Sequence, residues 1–221
     1  MTAFRFPGAS DRTVIIGATG SGKTVFGAWI LSKQRFNKRP WIIIDFKGEE
    51  LWDLVQTPPL MTLKLGDMPS KKGLYRMSVL PGDDDIIEEF FRKVWIKENI
   101  GLFIDEVSLI NSKRWFKALL RQGRSKRIPV ISCTQRPVDC DREIFTESQF
   151  KSIFRLDDKR DYKIVEDFCP GTDLTKALPD KWSYWYDSPH RALFKLQPCP
   201  PPDTIAADLR RNVPYTSFWP F

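Results

Sequence analysis

The sequence predicts an α/β domain with a mostly parallel central sheet and helices on both faces, and three observations predict it. Residues Gly17 to Thr24 read G-A-T-G-S-G-K-T and fill every fixed position of the phosphate-binding pattern G-x-x-x-x-G-K-[S/T]. A β-branched apolar run, Thr13 to Ile16, precedes that loop, and Val25 to Lys33, free of Pro and with its bulky residues on one side, follows it. These are the buried strand and the helix that such a loop joins. Two further strand-length apolar runs, Trp41 to Phe46 and Ile100 to Ile104, carry acids at their ends, Asp45 and the pair Asp105-Glu106.

A bound triphosphate concentrates negative charge that must be met without side-chain crowding. Gly17, Gly20 and Gly22 permit backbone conformations that a Cβ forbids, so the N–H groups of Gly17, Ala18, Thr19, Gly20, Ser21 and Gly22 can turn toward phosphate oxygens. The helix that opens there adds unpaired amides and the positive end of its dipole. Lys23 is placed to reach the β- and γ-phosphates and the Thr24 hydroxyl to hold Mg²⁺, with Val25 closing the nucleotide-binding stretch.

At 221 residues the chain fits one α/β domain with a large core. Residues 1–197 are assigned to it, and residues 198–221, rich in Pro and aromatic side chains, to a C-terminal arm. A count of 35 Lys plus Arg against 28 Asp plus Glu gives a net charge of +7, which permits a polyanionic partner without requiring one. Cys133, Cys140, Cys169 and Cys199 show no C-x-x-C spacing, and His190 is the single histidine. That argues against a zinc site or a disulfide framework and for a reducing compartment. No run approaches the roughly 18 to 20 apolar residues of a membrane span, and the N-terminal residues lack the apolar core of a signal peptide.

After the loop helix, Asn37 to Pro40 is a polar break before the strand Trp41 to Phe46. Asp45 falls either at the ligand edge of a parallel sheet or in a turn that it caps; the sequence leaves both open. A short helix is expected around Leu51 to Val55, then short strands at Met61 to Leu65 and Leu74 to Val79. Asp83-Asp84-Asp85 supplies the negative charge favoured at a helix start. Ile86, Ile87, Phe90, Phe91, Val94 and Trp95 recur at helical spacing as a core stripe. The strand Ile100 to Ile104 then delivers Asp105 beside the ion held by Thr24 and leaves Glu106 free to act on the attacking water, as its general base or its positioner.

Ser112 can cap a helix running to about Gly123, with Trp115, Phe116, Leu119 and Leu120 as its apolar side. Lys113, Lys117, Arg121 and Arg124 fall along one face of it. A solvated face explains such a row, yet four like charges without interleaved acids repel, so a polyanion or a neighbouring subunit's phosphate competes as its partner. Pro129 to Pro137 is another strand ending in Thr134-Gln135-Arg136, where Gln135 can bond the γ-phosphate or the attacking water. Ser152 to Leu156 is a fifth strand and Lys159 to Phe168 a charged helix. Trp182 to Tyr186 and Ala192 to Leu196 form a β-hairpin, with His190 a residue of its turn. Pro198 to Pro202 and Tyr215 to Phe221 look like an arm that forms no core alone, a docking tail for another subunit or partner.

Four motifs thus stand in order: G-A-T-G-S-G-K-T, I-I-I-D-F-K-G-E, L-F-I-D-E and T-Q-R-P. Together they resemble the FtsK-HerA superfamily of DNA-pumping ATPases, over roughly Thr13 to Phe168. Within it the chain is most similar to the short genome-packaging ATPases of tailless, internal-membrane double-stranded DNA viruses, the tectivirus-like group. The resemblance implies a RecA-like (ASCE) P-loop fold with an extra strand, the one bearing Gln135, between the loop strand and the Asp105 strand. It implies ATP and Mg²⁺ as cofactors, with Lys23, Glu106 and Gln135 serving hydrolysis and Asp105 and Thr24 the metal. It also implies a ring of six, ATP at subunit interfaces and double-stranded DNA in the channel. Portal or packaging-vertex proteins would be partners, without direct membrane insertion, in the host cytoplasm and at the virion's packaging vertex. A neighbour would supply an arginine finger. Arg124, in R-Q-G-R-S-K-R, is the first choice by position, with Arg121 and Arg136 behind it, and Lys113, Lys117 and Arg121 are the candidate DNA contacts.

Rival readings are a small-molecule kinase and another DNA-binding ATPase that does not package. A kinase needs an arginine-bearing lid and an acceptor pocket, whereas Glu106 with a T-Q-R-P strand end suits hydrolysis. A GTP switch needs an N-K-x-D reader, and Asn37-Lys38 continues instead as Arg39-Pro40. Intact Lys23, Thr24, Asp105 and Glu106 oppose a relict, non-hydrolysing loop.

Overall fold

The computed structural model describes residues 4–55, 60–111, 114–170, 173–174 and 178–213. Strand β1 (Arg12–Ile16) runs into the phosphate loop and helix α1 (Lys23–Ser32). Then come β2 (Pro40–Asp45), the single-turn α2 (Glu50–Asp53), the short β3 (Leu60–Thr62) and β4 (Gly73–Ser78). Helix α3 (Asp84–Lys97) leads to β5 (Gly101–Asp105), and α4 (Trp115–Gln122) leads to β6 (Val130–Thr134). Beyond them lie α5 (Arg142–Thr146), β7 (Phe150–Ile153), α6 (Lys159–Phe168), the hairpin β8 (Ser183–Asp187) and β9 (Ala192–Leu196), and α7 (Pro202–Asn212).

The strands form one nine-stranded sheet in the order β3-β4-β2-β5-β6-β1-β7-β8-β9. From β3 to β7 the neighbours pair in parallel, and β8 and β9 add on antiparallel. Strand β6 therefore lies between the loop strand and the Asp105 strand, the placement that the resemblance implied. Strands β1, β5 and β6 are buried at every residue, because helices cover both faces, and this is why they read as unbroken apolar runs rather than alternating ones. On one face, Phe90, Phe91 and Val94 of α3 pack with Phe116 and Leu119 of α4. On the other, Phe26, Ile30 and Leu31 of α1 pack with Ile205 and Leu209 of α7.

Three stretches differ from the sequence expectation. Residues 202–212, expected within an irregular arm, form α7, which seats Ile205, Ala206 and Leu209 against α1 with no exposure above 1%. Proline suits the first helical position, so Pro202 opens this helix rather than preventing it. The strand read as Ser152 to Leu156 ends at Ile153. Phe154 and Arg155 are diverted to the phosphate loop, the Phe154 amide donating to the Ile16 carbonyl (2.8 Å) and the Arg155 carbonyl accepting from the Ala18 amide (2.9 Å). Ile86, assigned to the core stripe, is 47% exposed, because consecutive helical residues lie about 100° apart and Ile87 takes the inward position. The Ser112 cap and the aromatic end Tyr215 to Phe221 lie outside the described residues. Among the described residues no helix is long and apolar enough to cross a membrane.

Candidate nucleotide-binding and hydrolysis site

The carboxyl ends of β1, β2, β5 and β6 meet at one sheet edge, which brings together the loop Gly17 to Thr24, Asp45, Asp105-Glu106 and Thr134-Gln135. Two strand ends fix the loop: the Gly17 amide donates to the Thr134 carbonyl at 3.2 Å and the Ala18 amide to the Arg155 carbonyl at 2.9 Å. Gly20 and Gly22 have φ of 74° and 95°, the left-handed region that costs a side-chain-bearing residue energy. A Cβ on Gly17 would lie 2.5 Å from Ser21 Oγ and 2.6 Å from Phe154 Cβ, so the turn closes only around glycine. Lys23 is 5% exposed at the start of α1. Burial, then the charge of Lys47, lower its pKa, and Asp105 and Glu106 pull the other way. An ammonium buried on these terms is a receptor for an anion.

Asp105 is fully buried at the end of β5. Its Oδ1 accepts from Thr24 Oγ1 at 3.2 Å, and its Oδ2 has no hydrogen-bond partner. Burial, with the charge of Glu49, pushes its pKa up to about 7. A buried carboxylate oxygen without a donor, beside a hydroxyl, fits a hard divalent cation such as Mg²⁺.

Glu106 has the opposite surroundings. Its backbone is left-handed, with φ 76°, which turns its side chain toward the end of β6. Oε2 accepts from Lys47 Nζ at 2.8 Å, and Oε1 accepts from Ser108 Oγ at 2.6 Å, Thr134 Oγ1 at 3.2 Å and the Gln135 amide at 3.1 Å. Burial alone would raise its pKa, but the bonds from Lys47 and Ser108 outweigh it and hold the carboxyl below its usual value. Gln135 joins this acid to the cradle, since its Oε1 accepts from Thr19 Oγ1 at 2.7 Å.

Asp45 resolves as a turn acid. Its Oδ1 accepts from the amides of Lys47 (3.1 Å) and Gly48 (2.9 Å), and its Oδ2 from Arg76 Nε (2.9 Å) and Nη2 (2.7 Å). The turn so held carries Lys47 to Glu106.

No family model matches the chain. The DNA packaging ATPase P9 of Enterobacteria phage PRD1 is 35% identical to it over 215 residues, which cover 92% of this chain and 93% of that protein. The chain belongs to the viral DNA-packaging ATPases. Among solved structures, the genome packaging NTPase B204 from Sulfolobus turreted icosahedral virus 2, in complex with sulfate, superposes with a TM-score of 0.65 at 17% identity, covering 87% of this chain and 98% of that one. The ATPases 2 and 3 of EssC from Geobacillus thermodenitrificans give a TM-score of 0.66 at 13% identity, covering 92% of this chain and 44% of that one. These likenesses show that the chain shares its α/β fold with those NTPase structures.

Other expected site residues of the packaging ATPase lie away from the cradle. Arg124 is exposed in the turn between α4 and β6, at the amino-end edge of the sheet. The row on α4 is not free of acids as the sequence suggested, because α5 and the residue before it supply them: Lys117 pairs with Asp141 at 3.1 Å and Arg121 with Glu143. Arg136, exposed, pairs with Asp139 at 3.0 Å. Lys113 lies outside the described residues. His190 sits in the hairpin turn, 3.0 Å from Asp187. Lys47 is a site residue that the sequence expectation did not include; its signal is the lysine of I-I-I-D-F-K-G-E, whose ammonium the turn after β2 brings to Glu106.

Proposed function

We propose that this ATPase assembles as a ring, of six subunits, that hydrolyses Mg²⁺-ATP at the loop edge and drives double-stranded DNA into a preformed capsid. That it is an ATPase of genome packaging follows from its family; the ring, the metal and the residue roles are our proposal. One observation carries it: a glycine cradle, an orphan oxygen on Asp105 beside the Thr24 hydroxyl, and a tethered carboxylate on Glu106 share one strand edge.

Thr24 and Asp105 would hold Mg²⁺, which, when bound, neutralises charge on the β- and γ-phosphates. Lys23, with the amides of Gly17 to Thr24 and of Val25, meets the remaining phosphate charge. Glu106 takes the proton of the attacking water, and Gln135, fixed between Thr19 and Glu106, orients that water. An arginine of the adjoining subunit, Arg124 first among the choices, meets the charge that develops on the transferring phosphoryl. DNA contact by Lys117 and Arg121 requires them to exchange Asp141 and Glu143 for phosphates. The protein would work in the host cytoplasm, docked to portal or packaging-vertex proteins and without inserting in the membrane.

The test is the ATPase rate with and without duplex DNA, beside the mass of the assembly with nucleotide bound. Hydrolysis should require Mg²⁺, rise with duplex DNA and accompany a ring. A rate indifferent to DNA, with transfer of phosphate to a small-molecule acceptor, would favour the kinase reading instead.

A further inference from the structure

Several cations of the described surface are matched by acids, as in Lys117–Asp141, Arg136–Asp139 and Arg160–Asp158. The amino-end edge of the sheet, opposite the phosphate loop, is different. There the end of α1 and the loop after it contribute Lys33, Arg35, Lys38 and Arg39, and the residues leading into β5 and β6 contribute Asn99 and Arg127, to a cavity of about 550 Å³. Lys33, Arg35 and Lys38 also line an adjoining cavity of about 300 Å³. Among the described residues no Asp or Glu lines either one.

Lys33 reaches Asp208 at 3.0 Å; among the described residues Arg35, Lys38, Arg39 and Arg127 make no ion pair. Arg39 is 7% exposed, and its Nη1 donates to the carbonyls of Ala9 and Arg127, both at 2.6 Å. These bonds aim the guanidinium without neutralising it. Burial, and then the charge of Arg127, lower its pKa. Like charges held together with one counterion among them cost the fold stability, a cost that would be recovered on binding a polyanion.

We propose that this basic groove is a second anion site of the packaging ATPase, which takes the phosphodiester backbone of double-stranded DNA. The proposal rests on the DNA-translocating reading above and gives it a contact surface that α4, with its cations paired, does not offer. Two cavities side by side along one edge suit a linear polyanion better than a single phosphate. Guanidinium and ammonium groups with a neutral amide, and a Trp41 only 1% exposed, match backbone contact without sequence reading and lack the exposed aromatic anchors of a protein interface. Helix α1, 10 residues long and hence about 15 Å, runs directly from the phosphate loop to the groove.

The test uses the double variant Arg35→Ala/Lys38→Ala in the full chain, both side chains being exposed, with duplex DNA binding followed by fluorescence anisotropy across a salt series. ATPase without DNA should match the wild type, which also reports that the variant is folded. Duplex affinity at low salt should fall about tenfold or more, and the slope of log K against log salt should become shallower by about 1.8, or 0.9 for each phosphate no longer neutralised. Equal affinity and equal slope would overturn the groove and leave the packaging reading standing. If the variant failed to bind polyglutamate but kept duplex binding, the groove would serve an acidic protein and the proposal would fail. A wild type that bound no duplex at any salt would remove the reading on which it rests.

Discussion

Asp105 and Glu106 are adjacent in sequence and opposite in surroundings, and environments that push neighbouring carboxyls apart assign them different work. Glu106→Gln should keep nucleotide binding, measured by calorimetry, and lower turnover by about 10²- to 10⁴-fold; normal hydrolysis would end its role as base. Lys23→Ala should lose nucleotide binding itself. Asp105 makes a separate prediction about stability. With chelator and no nucleotide, the folded protein holds this proton up to about pH 7, while a free aspartate side chain releases it near 3.8. Between those values the folded state binds more protons, so this group's contribution makes stability fall as pH rises. Urea unfolding at pH 5 and pH 7.5 should show Asp105→Asn flattening that decline. The loop, Asp105, Glu106 and Gln135 were legible in sequence because each occupies a fixed place beside a strand. The bond from Lys47 to Glu106 was not, because it joins turns that only the pairing of β2 with β5 brings together.

At the scale of elements, the turn after β2 is stabilised by one carboxylate. Asp45→Ala would leave Arg76, its side chain 21% exposed, without its buried acid and release the amides of Lys47 and Gly48. The expected loss is about 3–5 kcal/mol of unfolding free energy, together with a lower kcat as Lys47 loses its anchor. Restoration of stability but not kcat by Asp45→Asn would separate the two effects. Helix α7 is the second case: Leu209→Ala should cost about 2–5 kcal/mol in chemical unfolding, since the side chain is fully buried against α1. This helix was hidden in the sequence by the prolines before it, although Ile205, Ala206, Leu209 and Val213 carry the helical period. The acids that meet the α4 row were hidden for a different reason, because Asp141 and Glu143 are local to α5 and neighbours of α4 only after folding.

At the scale of the whole molecule, Arg124 lies at the edge of the sheet opposite its own phosphate loop, so a finger role for it would require an interface between copies. Arg124→Ala mixed into wild-type protein should depress ATPase by more than its mole fraction if it acts across an interface. A strictly proportional fall would assign the finger elsewhere. The sheet itself bears on how such copies can meet. One flank ends in the three-residue β3 and the other in β9, where Lys195 is exposed. A short edge strand and an exposed lysine on an edge strand both disfavour strands zipping together there. Copies meeting at these flanks would then grip through side chains more than through backbone, a joint that lets go and re-engages more cheaply than a continuous sheet.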